Sequence, residues 1–236
     1  MALIVKGREV KYYTTFDSFS SNTAFFTPYD DGIPGFGTER TTNQLARVWI
    51  KSINDIAEGT GESQRVGRTV QNLLLKYSLS FTAGDTASEI TAENTFRVII
   101  FIDEFGVTDI DAANSEQMFT DTLNYMRALL DVSELASSVN SSLHAIHASY
   151  NPKNSSRFTI LSDKAYTVSP GDSASGSTLM SSHFIPLQFR TSYDGNTVAS
   201  NNLRIMVLPY KNPNAHGSTA QNWLFYVKFQ LLYIDQ

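Results

Sequence analysis

The segment Gly171-Asp-Ser-Ala-Ser175 has the residue types of a hydrolase nucleophile, and it is the first candidate for chemistry in this sequence. Asp172 and Ser173 follow a glycine, but the second glycine that a nucleophile elbow requires after its serine is missing. The segment lies in a turn that lacks the buried strand-to-helix step of a nucleophile elbow. We therefore predict a flexible loop here and no catalytic residues in the chain.

Two groups of side chains have the donor atoms of a metal site. His144 and His147 would share one face of a helix, but no acidic residue follows them in a known ligand spacing. Four carboxylates form an oxygen-rich cluster of the kind that binds calcium at subunit contacts: Asp103, Glu104, Asp109 and Asp111. Their spacing does not match an EF-hand loop, so we favour a solvated acidic loop and expect no metal.

A glycine-containing turn at residues 59–68 carries two arginines of interest. Its glycines have the wrong spacing for a dinucleotide-binding loop, and a strand rather than a helix follows. Arg65 and Arg68 could contact phosphate or a neighbouring subunit. Equally, they could cap loop carbonyls or pair with Glu58 or Glu62, and the sequence leaves both interpretations open.

Four aromatic residues on candidate strands have the flat side chains that stack on nucleic-acid bases: Tyr12, Tyr13, Trp49 and Tyr77. They fall in alternating or apolar runs, so burial in a core is the favoured interpretation. The net charge of −5 argues against a protein that coats nucleic acid by bulk attraction.

The elements that would position these residues are mainly strands, organised around residues 59–103. Apolar side chains alternate with polar ones at Leu73, Leu75, Tyr77, Leu79 and Phe81, which predicts a strand with one buried face. Residues 96–103 are apolar almost throughout and rich in β-branched and aromatic types. This pattern predicts a strand deep in a sheet, next to the first in an antiparallel pair.

Eight strands are predicted in all, at residues 8–16, 44–53, 72–81, 96–103, 157–168, 183–190, 203–208 and 223–233. Phe119, Leu123, Met126 and Leu130 form a helical stripe, which predicts one helix over residues 115–130. Uneven loops favour a double-sheet jelly roll over an up-and-down barrel. We predict an all-β fold, a single eight-stranded antiparallel jelly-roll domain over residues 1–236 with a long, partly helical insertion at 104–156.

Composition limits where such a chain could work. It has no cysteine, and therefore no disulfide or thiolate metal site. The apolar start is too short for a signal peptide, and no run reaches membrane-spanning length. We expect a soluble chain that is not secreted and does not enter a membrane.

Four segments, in the same order, resemble the capsid proteins of small circular Rep-encoding single-stranded DNA viruses (circovirus-like viruses). They are Glu9-Val-Lys-Tyr12, Gly59-Thr-Gly-Glu-Ser-Gln-Arg-Val-Gly-Arg68, Arg97-Val-Ile-Ile-Phe-Ile-Asp103 and Asn154-Ser-Ser-Arg-Phe-Thr-Ile-Leu-Ser-Asp-Lys164. The resemblance extends from about residue 8 to residue 236. It implies a viral coat subunit with a single jelly roll, no cofactor and no catalytic role.

The resemblance also implies partners and a location. Identical subunits would assemble inside the host cell into a small icosahedral shell, the virion, around a single-stranded DNA genome, and would meet a host receptor that the sequence does not identify. Such capsids usually begin with a long basic arm, whereas this chain offers Lys6, Arg8 and Lys11, which the resemblance puts at the inner surface. We therefore predict weak DNA binding that salt disrupts easily.

Two further expectations complete the prediction. Residues 103–134 contain eight carboxylates and one basic residue, Arg127, a net charge of −7, so this region should lie outside the sandwich, on the outer or interface surface of the shell. The alternative function is a cellular β-sandwich binding module, such as a lectin-like or cytokine-like jelly roll. A hydrolase is disfavoured because the sequence offers no credible nucleophile with an acid and base.

Overall fold

A computed structural model of the chain describes residues 3–5, 8–20, 49–83, 94–105, 125–131, 147–168, 178–211 and 223–236. Within these ranges there are eleven strands: β1 (Leu3–Val5), β2 (Arg8–Ser20), β3 (Trp49–Ser52), β4 (Thr69–Ala83), β5 (Asn94–Asp103), β6 (Phe158–Val168), β7 (Thr178–Pro186), β8 (Arg190–Asp194), β9 (Thr197–Ser200), β10 (Asn202–Lys211) and β11 (Trp223–Asp235). Residues 125–129 are helical, and Pro152–Asn154 form a 3₁₀ turn.

The strands form two antiparallel sheets with an interleaved order. One sheet has seven strands in the order β1-β2-β11-β4-β8-β9, with β7 also paired to β4, and the other has the order β3-β10-β5-β6. The chain therefore crosses repeatedly from one sheet to the other. This double-sheet antiparallel arrangement is a jelly-roll sandwich, which confirms the predicted fold class.

The strand count exceeds the predicted eight because β1 and β9 were not predicted and because one predicted strand is divided between β7 and β8. The stretch predicted as one strand over residues 183–190 contains the end of β7 and the first residue of β8, which lie end to end beside β4. Pro186 closes β7 because it has no N–H to continue the ladder. The alternation in this stretch predicts one apolar face made of Ile185, Leu187 and Phe189, and that face is confirmed, since Leu187 is buried and the other two pack against the core.

The inner side of the seven-stranded sheet supplies much of the core. Leu75, Tyr77, Leu79 and Phe81 of β4 are buried, as their alternation predicts. The prediction is wrong at Leu73, which is only partly buried, whereas Asn72 is fully buried. The register shifts between Leu232 and Tyr233 of the neighbouring β11, and the extra residue in β4 reverses the alternation there.

Strand β5 is buried on both sides, which explains why its sequence is apolar from Val98 to Ile102. Val98, Ile100 and Ile102 face the core between the sheets, whereas Ile99 and Phe101 face a second hydrophobic cluster outside the four-stranded sheet. The second cluster also includes buried apolar residues from the insertion and from β6: Tyr125, Met126, Leu129, Leu130, Ala148 and Phe158.

The described parts of the insertion therefore lie outside the sandwich. Residues 125–129 are helical, as predicted, and Met126 and Leu130 from the predicted stripe are fully buried. The predicted helical residues Phe119 and Leu123 lie outside the described residues. No helix in the described part of the chain is long and apolar enough to span a membrane.

Candidate functional site

The outward face of the seven-stranded sheet exposes large apolar side chains. This outward face consists of the outward positions of β2, β11, β4 and β7. They are the even-numbered residues of the ranges 12–18, 226–232, 74–82 and 178–186, which lie in register across the four strands. The most exposed are Phe16 (80%), Met180 (78%), Phe184 (62%), Tyr226 (49%) and Tyr12 (47%). Side chains of this size rarely gather on a surface without a binding role.

Strand alternation forces these residues outward, because the intervening residues fill the core. Lys228 lies between Phe16 on one side and Ser78 on the other, and Ser78 in turn is next to Ser182. The hydroxyls of Ser78 and Ser182 are 2.9 Å apart. These small residues leave a shallow groove of about 290 Å³, with Phe16 and Met180 among the residues that line it.

Positive charge accompanies the apolar residues on this face. Lys76 and Lys228 are exposed, and the Lys76 ammonium lies 5.5 Å from the centre of the Phe184 ring. The outward positions just defined carry no Asp or Glu. The Asp17 carboxylate borders the groove but belongs to the inner side, where it accepts a hydrogen bond from Lys51 Nζ at 2.7 Å.

The aromatic residues proposed for base stacking divide between the two sides of the sheet. Trp49 and Tyr77 are buried, and Tyr13 packs against the same core. The core interpretation was wrong for Tyr12, which lies on the outward face. Alternation alone could not reveal this, because both Tyr12 and Tyr13 are aromatic and only the partner sheet decides which one is buried.

Of the three predicted genome-facing cations, the side chain of Lys11 alone lies in the described part of the chain. Lys6 lies outside the described residues, and Arg8 begins β2, with its side chain also outside the description. The Lys11 ammonium is 2.8 Å from the Asp235 carboxylate and donates to the Gln64 carbonyl at 3.0 Å. Lys11 is therefore already neutralised within the chain, and its contact with DNA stays a prediction.

Arg65 is fully buried in its turn. Its guanidinium donates to the carbonyls of Ile56 (3.0 Å), Gly67 (2.7 Å) and Gly195, and lies 4.1 Å from the centre of the Tyr193 ring. These contacts match the loop-capping alternative and leave no side-chain surface for a phosphate. A phosphate or interface contact stays a prediction for the neighbouring Arg68, which is exposed.

Two reciprocal ion pairs join β5 to β6 on the covered side of the four-stranded sheet. At one end, Arg157 donates through Nε and Nη2 to the two carboxylate oxygens of Asp103, both at 2.9 Å. At the other end, Arg97 donates through Nε at 2.9 Å and Nη2 at 2.7 Å to Asp163. Two of the four segments that carried the capsid resemblance, 97–103 and 154–164, thus meet through four charged residues.

Tyrosines complete both pairs. Tyr125 donates its hydroxyl to the buried Asp103, and the Phe105 N–H donates at 3.3 Å. Burial alone would raise the pKa of Asp103, but hydrogen bonds from Arg157 and Tyr125 outweigh it and lower the pKa below the ordinary value. Burial, together with the same carboxylate, raises the pKa of Tyr125, so the phenol stays protonated.

The second pair anchors another part of the insertion. Arg97 also donates to the Ala148 carbonyl at 2.7 Å, and Tyr150 donates its hydroxyl to Asp163 at 2.5 Å. The pKa of Asp163 is lowered, because hydrogen bonds from Arg97 and Tyr150 outweigh the effect of burial. The sequence did not reveal these pairs, since their partners are 54 and 66 residues apart.

His183 is the one described histidine with a serine in contact, but the geometry does not suit catalysis. Its Nδ1 lies 3.0 Å from the Lys164 ammonium, and its Nε2 lies 2.6 Å from Ser181 Oγ and 2.7 Å from the Tyr166 hydroxyl. An ammonium only donates, so Nδ1 accepts and the neutral ring keeps its proton on Nε2. That nitrogen cannot take a proton from Ser181, and burial and Lys164 both lower the pKa of His183.

The candidate metal ligands do not come together in the described residues, which contain no group of three or more His, Asp or Glu side chains suited to a metal. Asp103 is committed to Arg157, and Glu104 accepts from Thr159 Oγ1 at 3.2 Å. His147 is exposed. The other predicted candidates lie outside the described residues: Asp109, Asp111, His144, Asp172 and Ser173.

Comparison with known proteins finds similarity of fold. No family model and no curated protein sequence matches the chain. A structure from Desmodium yellow mottle tymovirus is 7% identical, with a TM-score of 0.32, over 99% of this chain and 93% of that chain. The decameric BFDV capsid protein is 8% identical, with a TM-score of 0.33, over 96% and 98%. The K1 cleaved adhesin domain of Lys-gingipain from Porphyromonas gingivalis is 8% identical, with a TM-score of 0.29, over 94% and 97%. The function is therefore argued below from the chain's own residues.

Proposed function

We propose that this chain is a viral capsid protein, a structural subunit that self-assembles into a small icosahedral shell around a single-stranded DNA genome. The observation that carries the proposal is the jelly-roll strand order, in which the resembling segments fall on β2, on the turn before β4, on β5 and on β6. The last two are joined directly by the Arg97–Asp163 and Asp103–Arg157 pairs.

A shell subunit needs a rigid body whose sides pack against symmetry-related copies. The sandwich supplies such a body: two sheets enclose one core, and the insertion adds a second core on the outside of the four-stranded sheet. Hydrogen bonds from Tyr125 to Asp103 and from Arg97 to the Ala148 carbonyl attach that added layer to β5. In this proposal the subunit has no catalytic role and needs no cofactor, and the virion is its place of action.

Assembly is directly measurable. The purified, nuclease-treated full chain should form uniform closed particles by electron microscopy, with a narrow, high-mass peak in size-exclusion chromatography with light scattering. We expect particles without nucleic acid, because protein burial rather than phosphate neutralisation drives assembly in this proposal. Discrete monomers or trimers at every protein concentration would contradict it and favour the cellular binding module.

A further inference from the structure

The two sheets of the sandwich differ in what lies on their outer sides. The outer side of the four-stranded sheet is covered by residues of the insertion, including Tyr125, Met126 and Leu129. The outward face of the seven-stranded sheet instead leaves Phe16 and Phe184 more than half exposed. We propose that this outward face is a binding platform for single-stranded nucleic acid, on which bases stack against the aromatic rings and phosphates lie against two lysines.

The aromatic residues are arranged for stacking. Phe16 on β2 and Phe184 on β7 are at opposite sides of β11 and β4, in neighbouring rows of the ladder, and Tyr226 on β11 lies in the next row beyond Phe16, beside Ser18. The serines and threonines around them are too short to cover the rings. A strand of unpaired bases offers flat surfaces to such rings whatever its sequence, whereas the bases of a duplex are already stacked inside it.

The charges on this face fit a polyanion. Lys228 is directly beside Phe16 in the ladder, and Lys76 is beside Phe184. Each of these rings therefore has a cation next to it, as a base and its phosphate would require. The chain as a whole is acidic, at −5, so this local excess of positive charge over carboxylate is not a property of the whole surface.

Charge also argues against a second copy of the chain as the occupant. A two-fold contact through this face would bring the Lys76 and Lys228 ammonium groups of both copies onto one interface, with no carboxylate at the outward positions to pair with them. A single-stranded polyanion supplies the missing negative charge and stacks on the rings at the same time. The inference rests on the proposed function in one respect: that function identifies the bound nucleic acid as the single-stranded DNA genome.

The experiment measures fluorescence anisotropy of a labelled oligothymidylate of about 20 nucleotides, long enough for at least one binding site on this scale. The full chain is tested in its subunit and particle fractions, against a duplex of the same length. The test variant is Phe16→Ser with Phe184→Ser, and the matched control is Phe105→Ser, which removes an exposed ring (67%) from the loop after β5.

We expect the chain to bind the single strand more tightly than the duplex. The double variant should weaken single-strand binding on the order of fivefold or more for each lost ring, and the control should bind like the wild type. Lys76→Gln with Lys228→Gln should reduce the slope of log affinity against log salt by about 1.4, since each phosphate contact on a single strand contributes about 0.7. Lys153→Gln, at an exposed position after residue 150, is the matched control.

Four results would overturn the inference: no single-strand binding, equal affinity for duplex and single strand, an unchanged affinity in the Phe16 and Phe184 double variant, or loss of self-association rather than of oligonucleotide binding in that variant. Melting curves establish that the variants are folded. Particle formation is scored separately by electron microscopy. If particles form but the subunit fraction does not bind the oligonucleotide, this inference is refuted and the proposed function stands, whereas binding without particles refutes the proposed function and leaves the platform.

Discussion

The Asp103–Arg157 pair should hold the end of β5 to the start of β6, at the base of the insertion, and Asp103→Asn tests this. The substitution keeps the size of the side chain and one acceptor oxygen. It removes the negative charge and replaces one of the two oxygens that accept hydrogen bonds from Arg157 with an amide NH₂ group. Because an NH₂ group only donates, it cannot accept a hydrogen bond from Arg157. The Asp103 side chain is fully buried, so water cannot replace what is lost.

The expected loss of unfolding free energy depends on how far Asp103 and Arg157 are each buried. Breaking a buried ion pair costs about 3–5 kcal/mol, because the remaining charge is left uncompensated. Arg157 is 23% exposed and keeps part of its hydration, which favours the lower end, about 3 kcal/mol. The matched control is Asp163→Asn, where the carboxylate is 29% exposed and a smaller cost of about 1.5 kcal/mol is expected.

The assay is urea unfolding of both variants and the wild type, repeated at several pH values. Because the pKa of Asp103 is lower in the folded chain than in the unfolded one, its contribution is complete above the ordinary aspartate pKa of about 3.9. It disappears as the pH falls through the lower pKa of the folded state. The free-energy gap between the wild type and Asp103→Asn should therefore narrow with acid.

Two results would refute this reasoning. If Asp103→Asn unfolds at the same urea concentration as the wild type at neutral pH, the pair does not stabilise the fold. If the variant is less stable but the gap stays constant down to acid pH, the loss comes from packing rather than from the carboxylate charge.

Three other substitutions have clear expected outcomes. Leu75→Asp should abolish soluble folded protein, measured by circular dichroism, because a buried unpaired carboxylate costs several kcal/mol; a folded, assembling variant would show that the strand phasing is wrong. Arg65→Gln should lower the unfolding free energy by about 3 kcal/mol, since it leaves buried carbonyls without donors, while Arg68→Gln should change it little; equal effects would contradict the loop-capping role. The triple change of Lys6, Arg8 and Lys11 to Gln should lower the nucleic-acid content of particles, measured by absorbance ratio, without changing their number or size. Failure of the triple variant to assemble would show that charge neutralisation drives assembly.

The buried positions of the sandwich were predictable from sequence in strands that have one side facing solvent and the other facing the core. The alternation in β4 identified Leu75, Tyr77, Leu79 and Phe81 correctly, because strand geometry has a period of two. The bulge at Leu73 was not predictable, since it depends on where β11 changes register. A single inserted residue exchanged the inner and outer sides at Asn72.

The candidate surfaces were harder to predict than the strands. The ion pairs of Asp103 and Arg97 depend on contacts between β5 and β6 that sequence spacing does not show. The sequence made no prediction of burial or exposure for Phe16 and Phe184: β2 has aromatic residues in both phases of its alternation, and in β7 Phe184 and Ile185 are adjacent apolar residues. Only the position of the second sheet, on the opposite side of β2 and β7, leaves them exposed.

The central claim is that this jelly roll is the subunit of a closed shell, and a reconstruction of purified particles by electron cryo-microscopy tests it most directly. We expect identical jelly rolls related by icosahedral symmetry, with the helical residues 125–129 away from the inner wall and the outward face of the seven-stranded sheet, including Phe16 and Phe184, directed at the genome. Particles without closed symmetry, or a shell whose inner wall is formed by residues 125–131, would contradict it.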